Sequence, residues 1–240
     1  MAGRPLGRVP MPQVLAPSSL AAIRAGVFVL AAIPLAALIG RGVAGSLGAN
    51  PVEAILRSLG TWTLVLLLVV LAVTPLRWLT GWSWLVRLRR MLGLWAFFYA
   101  CLHLAAFVWL DHWFDWTAIV ADVVKRPYLT FGFAAFLLML PLALTSSDAM
   151  VRRLGGRNWR RLHRAVYLVA VLGVLHYWYH KLAKNDLSQP MIYAGVLATL
   201  LGARIAHAVS ARFGASGGRN QGSVDSPAKS SATVSRRRTQ

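Results

Sequence analysis

The chain has 240 residues, of which 57% are hydrophobic and 14% charged; soluble domains hold about 45–50% and about 25%, so a water-facing globule is excluded. Its 26 Lys and Arg against 7 Asp and Glu give a formal net charge of +19, a combination that points to a membrane protein whose charges are sorted by side. The single cysteine, Cys101, rules out a disulfide framework, a CxxC redox pair, a thiolate zinc site and C-x-x-C-H haem attachment, and no Walker loop, G-x-G-x-x-G or H-E-x-x-H occurs.

In chain order, residues 1–19 read as a cytoplasmic N-terminal segment. Six stretches then approach the ~20 apolar residues a membrane helix needs: 20–39, 59–79, 92–110, 128–144, 163–179 and 190–209. The fold class expected is therefore an all-α integral membrane protein, a six-transmembrane-helix bundle over residues 20–209. The first stretch exceeds the ~7–15-residue core of a signal peptide and no small-x-small cleavage site follows it, so it reads as an anchor. Pro34, Pro75 and Pro141 fall inside or near the ends of spans, which membrane helices tolerate where neighbours satisfy the freed carbonyls. Tryptophans cluster at span ends (Trp78, Trp82, Trp84; Trp109, Trp113, Trp116), the place of interfacial anchors. No internal sequence repeat is evident. Residues 210–240, rich in Gly, Ser and Arg, read as a disordered basic cytoplasmic tail.

Charge then orients the spans. With the N-terminus inside, cytoplasmic segments hold twenty of the Lys and Arg and external loops hold six, while five of the seven acids (Glu53, Asp111, Asp115, Asp122, Asp186) lie outside. The positive-inside rule gives N- and C-termini both cytoplasmic. The basicity is orientation plus contact with anionic lipid in the bilayer, and no nucleic acid is expected as a partner.

Ionisable residues inside a bilayer are costly and default to function. His103 lies 13 residues after Arg90, and His176 lies 13 after His163 in the basic stretch RNWRRLHR. Helical rise sets both about 20 Å above the inner interface. Two histidines on different helices at one depth are what bis-imidazole ligation of haem iron requires; an interhelical hydrogen bond is the alternative at this point. His163 lies near the inner interface. Arg89, at a similar level, stays protonated and so suits a haem propionate rather than iron. His112 and His207 read as interfacial, and His180 as an outer-rim residue within reach of a propionate.

The stretches RRMLGLWAFFYACLHLAAFVWLDH, KRPYLTFGFAAFLLMLPLALTS and LGGRNWRRLHRAVYLVAVLGVLHYWY resemble the MsrQ (YedZ) family of haem-binding membrane subunits, within the ferric reductase-like transmembrane superfamily. The resemblance covers residues 20–209, and its most specific part is N-W-x-x-L-H-R with a second His 13 residues on. It implies a b-type cytochrome that takes electrons from membrane quinol and passes them through haem, one or two per chain, to a periplasmic molybdopterin reductase catalytic subunit. Methionine sulfoxide would be reduced on that partner. The family's iron ligands fall on His103, His163 and His176. The resemblance also implies FMN, for which no flavin motif is found. The 109–125 loop is the expected dock for the partner, and the surroundings of His163 the expected quinol side. Two other readings start from the same residues. A self-standing ferric or other transmembrane oxidoreductase would need a nicotinamide and flavin domain. A His-dependent proton-coupled transporter lacks support from repeat symmetry or intramembrane carboxylates.

Overall fold

The computed structural model describes residues 16–182 and 185–221, with side chains described as far as Ala211. The expected N-terminal segment lies outside these residues up to position 15, as does the expected tail from 222 onward. Every regular element among the described residues is helical, and the chain is an all-α integral membrane protein. It divides into two units, one ending at Leu200 and the other beginning at Leu201.

Helix α1 (Pro17–Val43) opens with Pro at its first turn, where the missing N–H costs nothing. Pro34 breaks its hydrogen-bond ladder, and Tyr99 repairs the neighbouring rung. The Tyr99 hydroxyl donates to Ala31 O (2.8 Å) and accepts from Leu35 N–H (3.1 Å), the two groups that would otherwise bond each other. Tyr99 is fully buried, so both bonds are formed away from lipid and water.

Helix α2 (Pro51–Thr80) starts where Asn50 accepts from Glu53 N–H (3.1 Å) and stops at Gly81, whose φ of 74° ends the helix in the left-handed region. A 3₁₀ turn (Ser83–Leu88) leads into α3 (Arg89–Ala106), which runs on into one π turn (Phe107–Asp111). The short α4 (Trp116–Lys125) is capped by Asp115, which accepts from Ala118 N–H (3.0 Å). Between the π turn and α4 the chain reverses through Trp113 and Phe114, both at positive φ (47° and 62°) with their rings exposed. Then come α5 (Pro127–Leu144), α6 (Asp148–Leu154), α7 (Gly156–His163), α8 (Ala165–Leu182) and α9 (Ser188–Gln221).

Among the described residues five helices are long and apolar enough to cross a membrane: α1, α2, the Ser83–Asp111 segment containing α3, α5, and α9 as Ser188–Ala211. The sixth expected span corresponds to α8, which has 18 residues like α5 but carries His176, His180 and Lys181, and these dilute its hydropathy. The expected span also started at His163, whereas the helix breaks at Arg164 and α8 begins at Ala165. The depth of His176 is thus measured from Ala165, about 17 Å along α8. At the other end, α9 continues as helix to Gln221, past the expected start of the tail at 210.

The most extensive packing joins α2 to α3 and α5 to α8. The core is Leu66, Leu67, Leu92, Ala96, Tyr99, Ala135, Met139 and Val169. Exposed Phe28, Val29, Leu30 and Ile33 on α1 are the lipid-facing residues such a bundle requires. One end gathers Arg89, Arg90 and the arginines of α6 and α7, stitched by the Arg90–Asp148 ion pair (2.7 Å) between α3 and α6. The opposite end holds His103 and His176.

Candidate functional site

At the histidine end α2, α3, α5 and α8 enclose a cavity of about 430 Å³, within the range of small-molecule and cofactor sites. His103 from α3 and His176 from α8 face each other across it, ring centroids 6.2 Å apart and planes at 80°. The sequence placed these two at one depth on separate helices; the structure brings them together.

Each imidazole is oriented by a neighbouring helix in the same way. Nδ1 of His103 lies 3.0 Å from the carbonyl of Leu56, and Nδ1 of His176 lies 2.7 Å from the carbonyl of Tyr128. A carbonyl only accepts, so each Nδ1 carries the proton and donates it, leaving Nε2 with its lone pair. Four residues after each carbonyl stands a glycine. A Cβ on Gly60 would come within 3.1 Å of His103, and one on Gly132 within 2.7 Å of His176. The rings therefore sit where helical side chains would otherwise be. The two half-sites share spacing in sequence too: 72 residues separate Leu56 from Tyr128 and Gly60 from Gly132. No residue similarity announces this, because the duplicated parts are a carbonyl and an absent side chain.

The cavity fits a haem iron held by two imidazoles. Each ring presents an unprotonated Nε2, and with metal–nitrogen bonds of about 2 Å on each side, two ligands of one iron stand with centroids about 6 Å apart, as these do. The backbone hydrogen bonds at Nδ1 are the second-shell contacts that metal-ligating histidines make. Away from the histidines the lining is apolar, with Leu64, Leu67, Ala135, Phe136, Met139 and Val169.

His163 is elsewhere, at the arginine end. Its ring stacks on Trp159 (centroids 3.9 Å, 26°), and its Nδ1 lies 3.2 Å from the Trp159 carbonyl one turn back. Trp159 is itself anchored by its Nε1–H donating to Thr145 O (2.8 Å) at the end of α5. That explains the N-W-x-x-L-H spacing: positions 159 and 163 share one helix face. Nε2 of His163 is buried, and the Leu142 carbonyl at the end of α5 lies close enough to act on the ring. Arg89 donates to Thr74 Oγ1, tying α3 to α2, and does not line the cavity.

Of the remaining histidines, His180 does line the cavity mouth, 5.3 Å from the Tyr128 ring. His112 is half-way into a polar cluster, 3.2 Å from Asp122 and 3.5 Å from Asp111, with its ring against Phe107. Sequence reasoning missed Gly60, Gly132 and the two carbonyls. It also read Arg57 and Lys181 only as external charges, whereas both line the mouth. Lys181 bonds Asp186 at 2.7 Å, and this ammonium holds the Asp186 carboxyl below the ordinary carboxylate range.

Comparison with known proteins shows the family to which the chain is similar. Residues 59–174 match the ferric reductase like transmembrane component family. The chain is 55% identical over 195 residues to the protein-methionine-sulfoxide reductase heme-binding subunit MsrQ of Ralstonia nicotianae, spanning 81% of this chain and 90% of that one. It is 52% identical over 189 residues to the subunit of the same name from Herminiimonas arsenicoxydans, 79% and 87% of the two chains. Against that of Rhodospirillum rubrum it is 56% identical over 189 residues, 79% and 90%.

Proposed function

The chain belongs to the MsrQ family of ferric reductase-like membrane proteins, and from that membership we propose that it is a b-type cytochrome subunit carrying electrons through haem toward methionine sulfoxide repair. One observation supports this most: His103 and His176 face each other 6.2 Å apart, each with Nδ1 committed to a backbone carbonyl. In this reading His103 and His176 hold the iron through Nε2. The carbonyls of Leu56 and Tyr128 fix the tautomer and ring orientation and make both imidazoles stronger donors. Gly60 and Gly132 admit the rings, and the apolar lining keeps water away. Bound there, haem supplies reversible one-electron transfer.

His163 is the ligand proposed for a second haem at the arginine end, through its buried Nε2. Arg89, held beside Thr74, is the proposed propionate partner on that side. The arginine end faces the cytoplasm by the positive-inside rule, which places both termini inside a bacterial inner membrane. α8 is the sixth span: His176, His180 and Lys181 line the cavity, where polar side chains in a span belong. Quinol delivers electrons from the His163 side. A periplasmic molybdopterin subunit accepts them above the histidine end and reduces methionine sulfoxide, docking on the 109–125 segment, whose Trp109, Trp113, Phe114 and Trp116 are exposed.

The test is a dithionite-reduced minus oxidised spectrum of the purified chain, with a pyridine haemochrome assay for haem per protein. A b-type spectrum is expected, with a ratio near two if His163 holds a second iron and near one if it does not. Acid release of the chromophores also reports any FMN. Protein free of haem under adequate supply overturns the reading.

A further inference from the structure

The cavity holding the two imidazoles has two chemically different ends. Toward the arginine end its floor is Leu67, Met139 and Val169. Its mouth, beyond the histidines, is lined by Arg57, His180 and Lys181 with Glu53 and Asp111. Arg57 stands one turn beyond Gly60 on α2, and Lys181 little more than one turn beyond His176 on α8, so two cations from opposite walls stand on the same side of the imidazole pair. Both are close enough to act electrostatically on Tyr177, which lines the same cavity.

The charges at the mouth are not used alike. Lys181 gives one of its three N–H donors to Asp186 and keeps two, and Asp111 lies 3.5 Å from His112. Arg57 has no carboxylate at ion-pair distance among the described residues. An arginine beside an apolar slot, with its planar fork of donors uncommitted to any acid, suits a carboxylate brought in by a ligand.

We infer that the mouth is a carboxylate subsite: Arg57 and Lys181 hold the two acid groups of a porphyrin bound between His103 and His176, so its acid edge faces the mouth and its apolar edge the Leu67–Met139 floor. This rests on the haem reading of the same site and adds the direction in which the ring is inserted. It also puts the acid edge, rather than the apolar one, next to whatever accepts electrons at that end.

The test uses the full chain, produced under haem limitation and kept in detergent, titrated with haem b and with haem b dimethyl ester while the Soret band is followed. Hydrogen bonds to charged groups carry enough energy for a preference of about tenfold or more, so the unaltered chain is expected to prefer the free acid by that factor. The R57Q/K181Q double variant is expected to bind the two porphyrins alike, having lost affinity for the acid only, with the low-spin spectrum of two imidazole ligands retained. R57Q alone is expected to lose part of the preference. Unchanged affinity for the ester shows that a variant is folded. Absence of preference in the unaltered chain, or its survival in the double variant, overturns the inference while leaving the haem reading intact. Absence of binding by either porphyrin to the unaltered chain overturns the haem reading itself.

Discussion

The two ends of the bundle each carry histidine, and they prepare it differently. At the histidine end two rings on separate helices are each turned by a carbonyl and seated over a glycine, so both are oriented by the backbone of a neighbouring helix. At the arginine end His163 is held within its own helix, by Trp159 one turn earlier. A carbonyl on a neighbouring packed helix fixes each of those rings from outside its own helix, whereas His163 takes its orienting contacts from within α7. The histidine end is therefore the preorganised site, and His163 the adaptable one.

The sharpest break in that comparison is removal of a proposed ligand. His103→Ala or His176→Ala is expected to abolish most of the b-type absorbance, and His163→Ala at most half of it. Pyridine haemochrome per purified protein measures all three. Equal losses from all three variants would erase the distinction between the ends.

Next in size are the glycines. Gly132→Ala puts a Cβ 2.7 Å from Nδ1 of His176, so the ring has to move off the Tyr128 carbonyl. Losing such an outer contact lowers metal affinity by about 10–100-fold. Gly60→Ala meets His103 at 3.1 Å, a contact that a few tenths of an ångström relieve, and is expected to fall at the low end of that range. Haem titration of both variants checks the order; a Gly60→Ala effect larger than Gly132→Ala contradicts it.

How legible this was in the sequence follows from what each part is made of. Side chains with a periodic or charged signature were readable: the spans, the sorting of arginines to one end, and the placing of His103 and His176 on separate helices, whose rings the structure sets 6.2 Å apart. The groups that orient the rings were not. A carbonyl belongs to every residue, so Leu56 and Tyr128 look like any apolar helix positions, and a glycine in an apolar run has no partner written beside it. The break at Arg164 was hidden because neither Pro nor Gly marks it. Tyr99 gave no sign that its hydroxyl fills the ladder next to Pro34, since those residues lie 65 positions apart and only packing of α1 on α3 joins them.

The smallest expected effect probes the arginine end by itself. In Trp159→Phe the ring that stacks on His163 is kept in reduced form, while the Nε1–H bond to the Thr145 carbonyl is lost. Thr145 is buried, and its hydroxyl is already engaged with the Pro141 carbonyl (2.6 Å), so it cannot replace that donor. An unsatisfied buried acceptor costs about 1–3 kcal/mol, felt where α7 joins α5. The outcome expected is a slightly lower melting temperature and a change confined to whatever signal depends on His163. The His103/His176 spectrum and its midpoint potential should not move, because neither ring draws its hydrogen bond from α7. A shift there as large as at His163 would mean that the two ends are coupled through α8, and that the preorganisation attributed to the carbonyls is set partly from the other side of the bundle.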